Sequence, residues 1–113
     1  MEYKNLRAYQ LARALGREVW AAVLVWPKYE RWAVGMQLVR SVDSIAANIA
    51  ESTGRWHRPD QQRLLFIARG SLHEANSWIE VAKDRDLLQA EIGSQIPELA
   101  RTLNGLIQTK RTK

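Results

Sequence analysis

A chain of 113 residues, 46% hydrophobic and 26% charged, is long enough for one domain with a packed core. It contains no cysteine, which excludes disulfides, thiolate metal sites and a cysteine nucleophile and fits a reducing cytoplasm. Its net charge of +5 points to an anionic partner, nucleic acid before a membrane surface, with plain solubility as the alternative.

The N-terminal run Met1-Glu2-Tyr3-Lys4-Asn5 leads directly into a charged amphipathic pattern, so no signal peptide is expected. No apolar run reaches the roughly 18 residues a bilayer span needs, and no membrane partner is expected. The first helix is predicted over residues 5–25. Ala8, Leu11, Ala12, Leu15, Val19, Ala22 and Trp26 recur at three- and four-residue steps, the spacing of one helical face. Asn5 is placed to cap its start. Pro27 stops it, since the residue before a proline is pushed out of the α region.

The second helix is predicted over residues 31–52. Leu38, Val42, Ile45 and Ile49 form one apolar line, with Val39, Ala46 and Ala50 beside it. A helix apolar on more than one side is deeply buried. Gly54 stands just past its end, where a cap glycine belongs. The third helix is predicted over residues 59–85, with Pro59 and Asp60 suited to its first turn. Its core face is Leu64, Ile67, Ala68, Ser71, Leu72, Ala75, Trp78, Ile79 and Ala82. The fourth helix covers residues 88–108 on Leu99, Leu103, Leu106 and Ile107, with Pro97 expected to kink it or split it. Four helices with short connections give an all-α, antiparallel up-down-up-down bundle as a single domain over residues 1–113.

The second helix also carries a polar stripe. Gln37, Arg40, Ser41, Ser44, Asn48 and Glu51 fall within about 50° of one line at 100° per residue. A buried arginine and glutamate in such surroundings need partners. Arg40 and Glu51 lie about 16 Å apart along the helix, so each is expected to reach another helix, with Glu74 the candidate for Arg40. An active site would need a titratable pair beside a cleft. The stripe has one carboxylate, one arginine and neither histidine nor lysine, so a polar network of Arg40, Ser44, Asn48, Glu51 and Glu74 that fixes helix register is the preferred reading.

Gln37-Leu38-Val39-Arg40-Ser41-Val42-Asp43-Ser44-Ile45-Ala46-Ala47-Asn48-Ile49-Ala50-Glu51 resembles the pattern Q-x-x-R-A-x-x-S-I-x-x-N-I-A-E-G of the 23S rRNA intervening-sequence proteins, and Arg55 matches the arginine that follows it. Phe66-Ile67-Ala68-Arg69-Gly70-Ser71-Leu72-His73-Glu74 is similar to a second block of that family, F-L-x-I-A-x-G-S-L-x-E, and Pro27 and Glu30 match its P-x-x-E turn. Ser52 stands where the family has glycine and Ser41 where it has alanine. The resemblance covers nearly the whole chain. It implies a four-helix bundle that assembles into a homo-oligomeric ring, a pentamer, with no enzymatic activity. It also implies kinship to the accessory variability determinant of diversity-generating retroelements, which binds nucleic acid and a reverse transcriptase.

Up-down topology would gather Lys4, Arg7, Arg55, Arg58, Arg63, Lys110, Arg111 and Lys113 at one end, against Glu2, Glu51 and Asp60. That balance of +5 equals the whole net charge. The other end, with Lys28, Arg31, Lys83 and Arg85 against Glu30, Asp84, Asp86 and Glu91, is neutral. A cationic rim would hold RNA or DNA backbone without reading sequence. Trp56, beside His57, either stacks on bases or packs over its loop. The basic tail is either part of the rim or a solvated terminus. Trp20, Phe66, Gly70, Ser77 and Val81 are expected to make subunit contacts. His57 and His73 lack partners at metal-ligand spacing, so no metal site or cofactor is expected. Ser71 lies outside any nucleophile elbow, so no catalytic residue is assigned. The leading function is a non-enzymatic, cytoplasmic, oligomeric nucleic-acid-binding or scaffold protein. The alternative is a protein–protein module whose basic end docks an acidic partner.

Overall fold

The computed structural model describes residues 2–110. Every regular element among them is helical, and the molecule is an elongated bundle 48 × 21 × 21 Å along its principal axes. Four helices dominate: α1 (Arg7–Val23), α2 (Met36–Thr53), α3 (Arg58–Asp84) and α4 (Ile96–Thr109).

Helix α1 begins two residues later than expected. Asn5 closes a 3₁₀ turn, Tyr3–Asn5, and the residue at the cap position is Leu6, whose side chain makes no capping bond. The helix unwinds at Leu24, before Pro27. After Pro27 a short helical stretch, Lys28–Glu30, passes into a π-helical turn, Arg31–Gly35, and then into α2. The Met36 N–H donates to the Arg31 carbonyl, five residues back, which widens the turn. Gly35 permits this geometry, since a Cβ there would lie 2.7 Å from Val23 Cγ1.

The fourth helix is shorter than its apolar pattern suggests. Residues 88–95 are not helical, with turns over 90–95, and α4 starts at Ile96 with Pro97 in its first turn. A proline there loses no helical hydrogen bond, so Pro97 opens the helix rather than kinking it. The preceding loop turns at Asp86 (φ 59°) and Gly93 (φ 87°), both left-handed. It is tied back by Trp26 Nε1–H, which donates to the Leu87 carbonyl at 2.9 Å.

The predicted apolar lines form the core. Leu15, Leu38, Ile45, Ile49, Leu99 and Leu103 have no accessible surface. Two details differ. Leu65 is fully buried although the third-helix face omits it, and Ile67 is 43% exposed although that face includes it. At 100° per residue these two positions lie about 160° apart, and Ile67 falls on the outer side. Ser41 and Ser52, where the family has small residues, are buried, and each hydroxyl donates to its own helix, Ser41 to the Leu38 carbonyl and Ser52 to that of Ile49. The serine at position 52 therefore leaves the helix intact, and α2 runs on to Thr53 with Gly54 at its cap.

Candidate nucleic-acid interface

The polar stripe separates into three parts. Its centre is a hydrogen-bonded cluster: Ser44 Oγ and Ser71 Oγ lie 2.8 Å apart, and Asn48 Nδ2 donates to the Ser44 carbonyl at 2.8 Å and to its Oγ at 3.0 Å. This pins α2 to α3. Arg40 and Glu51 lie outside it, and both are exposed. Glu51 accepts from Arg55, one helical turn on, so its partner is local rather than on another helix. Glu74 accepts from Trp78 Nε1 at 3.2 Å and does not meet Arg40. The expected burial of both charges fails because these two positions of α2 face solvent. Ser71 replaces Glu74 as the residue of α3 that the network recruits.

One end of the molecule brings the predicted basic residues together. Leu6, Ser52, Thr53, Gln61, Leu106 and Lys110 line a single cavity of about 190 Å³, which places the start of α1, the end of α2, the start of α3 and the end of α4 side by side. Arg58 and Arg63 are exposed there, and neither forms an ion pair among the described residues. Lys4 is exposed as well. Trp56 is 91% exposed, so it does not pack over its loop. His57 precedes α3, also exposed, and its side chain caps nothing. Arg111 and Lys113 lie outside the described residues.

Two of the cations are already engaged. Arg55 holds Glu51, and Arg7 makes a two-pronged bond to Glu98 of α4, at 2.9 and 3.2 Å. Glu98 lies in the first turn of α4, at the opposite end of that helix from Lys110. The arginine side chain is long enough to reach it, and the local charge is correspondingly lower. The hydrogen bond from Arg7 holds the Glu98 carboxyl below the usual carboxylate range; burial opposes it, and the charges of Arg7 and Arg101 act in the same sense as the bond. With the folded value depressed, the stabilisation is present above the ordinary carboxylate range and is lost as pH falls through the folded value. Thermal melts of Glu98→Gln between about pH 6 and pH 3 should show a shallower acid-side decline than the parent chain. Equal slopes would show that the bond contributes nothing in solution.

The predicted subunit contacts are scattered but outward-facing. Trp20 and Phe66 are 56% and 48% exposed. A Cβ on Gly70 would meet nothing within 4 Å, Ser77 is exposed and Val81 half-buried. Two features escape a reading of the sequence. Trp20, Leu24, Met36 and Val39 line an apolar groove of about 220 Å³ rimmed by Arg31 and Arg40. Its only sequence signal is the cluster of large apolar residues around Pro27. Between α3 and α4 lies a larger cleft, about 570 Å³, whose walls include Arg69, His73, Asn76, Asn104 and Gln108. No motif marks it, because its two walls are far apart in the chain. Among the described residues no three His, Asp or Glu side chains are grouped closely enough to hold a metal ion. No helix there is long and apolar enough to cross a membrane.

These features define a small all-helical bundle with a cationic end, a serine–asparagine clasp at its centre and a polar cleft along one side. The family model described as 23S rRNA-intervening sequence protein matches residues 4–109, and the chain belongs to that family. No curated protein matches it.

Proposed function

We propose that this protein is a non-enzymatic, homo-oligomeric nucleic-acid-binding or scaffold protein that holds phosphate backbone at its basic end. The observation that carries the reading is that Lys4, Arg58 and Arg63 are exposed and form no ion pair among the described residues, and that Trp56 is fully presented to solvent. Guanidinium groups suit phosphate through paired N–H donors, and an aromatic face open to solvent suits a base. The shared cavity at that end and the Trp26–Leu87 bond at the other support helices that alternate in direction along the bundle. With subunits arranged alike around an axis, the basic ends form a rim.

Binding to RNA and DNA across a salt series tests this. Affinity should fall steeply with salt, with a logarithmic slope near 0.7 to 0.9 for each neutralised phosphate. Arg58→Ala with Arg63→Ala should reduce that slope by about two such units. Weak binding that is flat in salt would remove the reading and favour an acidic protein partner at the same surface.

Assembly is proposed to be heterologous, with the face bearing Trp20 meeting the outer line of α3 at Phe66, Gly70, Ser77 and Val81. Two different patches joined head to tail close into a ring when the rotation permits, and a pentamer is the ring the family resemblance implies. Light scattering should give a mass several times the 13.0 kDa of one chain, and Trp20→Ser should lower it. A monomeric mass for the parent chain would eliminate the assembly.

A further inference from the structure

The cleft between α3 and α4 is chemically unlike the rest of the surface. Its floor is apolar, formed by Leu72 with the half-buried Ile96 and Ala100, above the fully buried Leu103. Its walls are polar: Arg69, His73 and Asn76 on α3 face Asn104 and Gln108 on α4. All five are exposed, and the side-chain bonds nearest them on α3, Ser71 with Ser44 and Trp78 with Glu74, involve none of them. No aspartate or glutamate lines the cleft.

The cleft also continues the basic end. At 100° per residue, Arg58, Gln62, Phe66, Arg69, His73 and Asn76 fall within about 80° of one line along α3. That line runs roughly 27 Å, from the exposed arginine at the helix start to the wall of the cleft. Midway the Arg69 guanidinium carbon stands 6.0 Å from the centroid of the Phe66 ring, which is 48% exposed. An arginine resting over an aromatic ring is steadied by it and presents its guanidinium as a phosphate ligand. Asn104 and Gln108 are one turn apart on α4, so their amides repeat along the opposite wall.

We propose that this cleft holds a segment of single-stranded nucleic acid. The inference rests on the reading of the basic end given above and adds a path, a strandedness and a means of contact. The backbone enters at Arg58 and is held by Arg69. The bases lie over the floor of Leu72, Ile96 and Ala100, and their edges are met by the amides of Asn76, Asn104 and Gln108, which both donate and accept. A duplex does not fit. Packed helix axes lie about 8–10 Å apart, and a groove between two of them is narrower than the duplex, whose major groove alone is about 12 Å wide. A docked protein helix would want apolar anchors along its whole length; here the walls are amides and cations.

The test uses the full chain and fluorescence anisotropy with single strands of about 12 nucleotides, within the range of known single-strand sites. RNA and DNA of one sequence are compared with a duplex of that sequence. Asn104→Leu with Gln108→Leu should weaken single-strand binding about tenfold, the size of one lost base contact, and leave duplex binding unchanged. Ala100→Trp, which fills the floor, should do the same. These positions face solvent or the open cleft, and unchanged helical circular dichroism confirms that the variants fold. Arg58→Ala with Arg63→Ala should weaken single strands and duplex alike. A loss on both RNA and DNA supports the cleft through base edges, and a loss on RNA alone supports it through the 2′-hydroxyl. Unchanged single-strand affinity in both cleft variants would overturn the cleft while leaving the basic end standing. No binding of any strand by the parent chain would overturn the basic end as well.

Discussion

Ile45→Ala should cost about 2–5 kcal/mol of folding stability, the range for removing a fully buried isoleucine side chain. Ile45 has no accessible surface and sits between Val42 and Ile49, which are 1% and 0% accessible, on the face of α2 turned to α1 and α3. The neighbours are themselves fully packed and cannot collapse into the space, so a cavity penalty adds to the lost transfer energy. A domain of this size has about 5–15 kcal/mol in total, so the variant should unfold at much lower urea. The control is Ile67→Ala. Ile67 is 43% exposed, and its truncation should stay within about 0.5 kcal/mol. Urea titrations of the two variants decide the matter, and equal losses would contradict the placement of Ile67 on the outer side of α3.

Gly35→Ala should be markedly destabilising for the addition of a single methyl group. The new Cβ would come within 2.7 Å of Val23 Cγ1 and 3.5 Å of Trp26 Cε3. Overpacking of this kind costs about 1–3 kcal/mol. The cause is separable. In a Val23→Ala background the offending methyl is gone, so the glycine exchange should cost less, with a coupling of at least about 0.5 kcal/mol. Strict additivity in the double-mutant cycle would show that the glycine serves the backbone of the π-helical turn rather than the close approach to α1.

The sequence made the bundle readable where one constraint acted alone. Leu38, Val42, Ile45 and Ile49 are three or four residues apart with nothing competing for their face, and all are buried. Pro97 was ambiguous because a proline both interrupts a helix and favours a first turn, and periodicity across residues 88–108 could not separate the two. The left-handed turn at Gly93 settles it. Arg40 and Glu51 were unreadable for a different reason. A helical wheel ranks positions by angle but does not say how far a neighbouring helix extends over each flank. Ser44 and Asn48 share the arc of Arg40 and Glu51, yet only the middle pair is covered. The basic end was legible as charge but not as pairing, since Arg7 bonds to a glutamate 91 positions away. The α3–α4 cleft left no trace in the sequence, because Arg69 and Asn104 become neighbours only when the chain is folded.

The π-helical turn at Arg31–Gly35 has a consequence for how this segment tolerates change. It accommodates one residue more than a regular α ladder would use, while the chain before and after it remains helical. Deleting one residue between 31 and 34 would restore the regular ladder and leave the segments on either side in phase, because the widened turn has already absorbed the extra residue. Trp26, bonded to Leu87 across the molecule, would keep its direction, whereas a deletion within the regular ladder of α2 would turn everything upstream by about 100°. The stretch therefore acts as slack in the chain, a place where the length of the segment can change without turning a buried face to solvent.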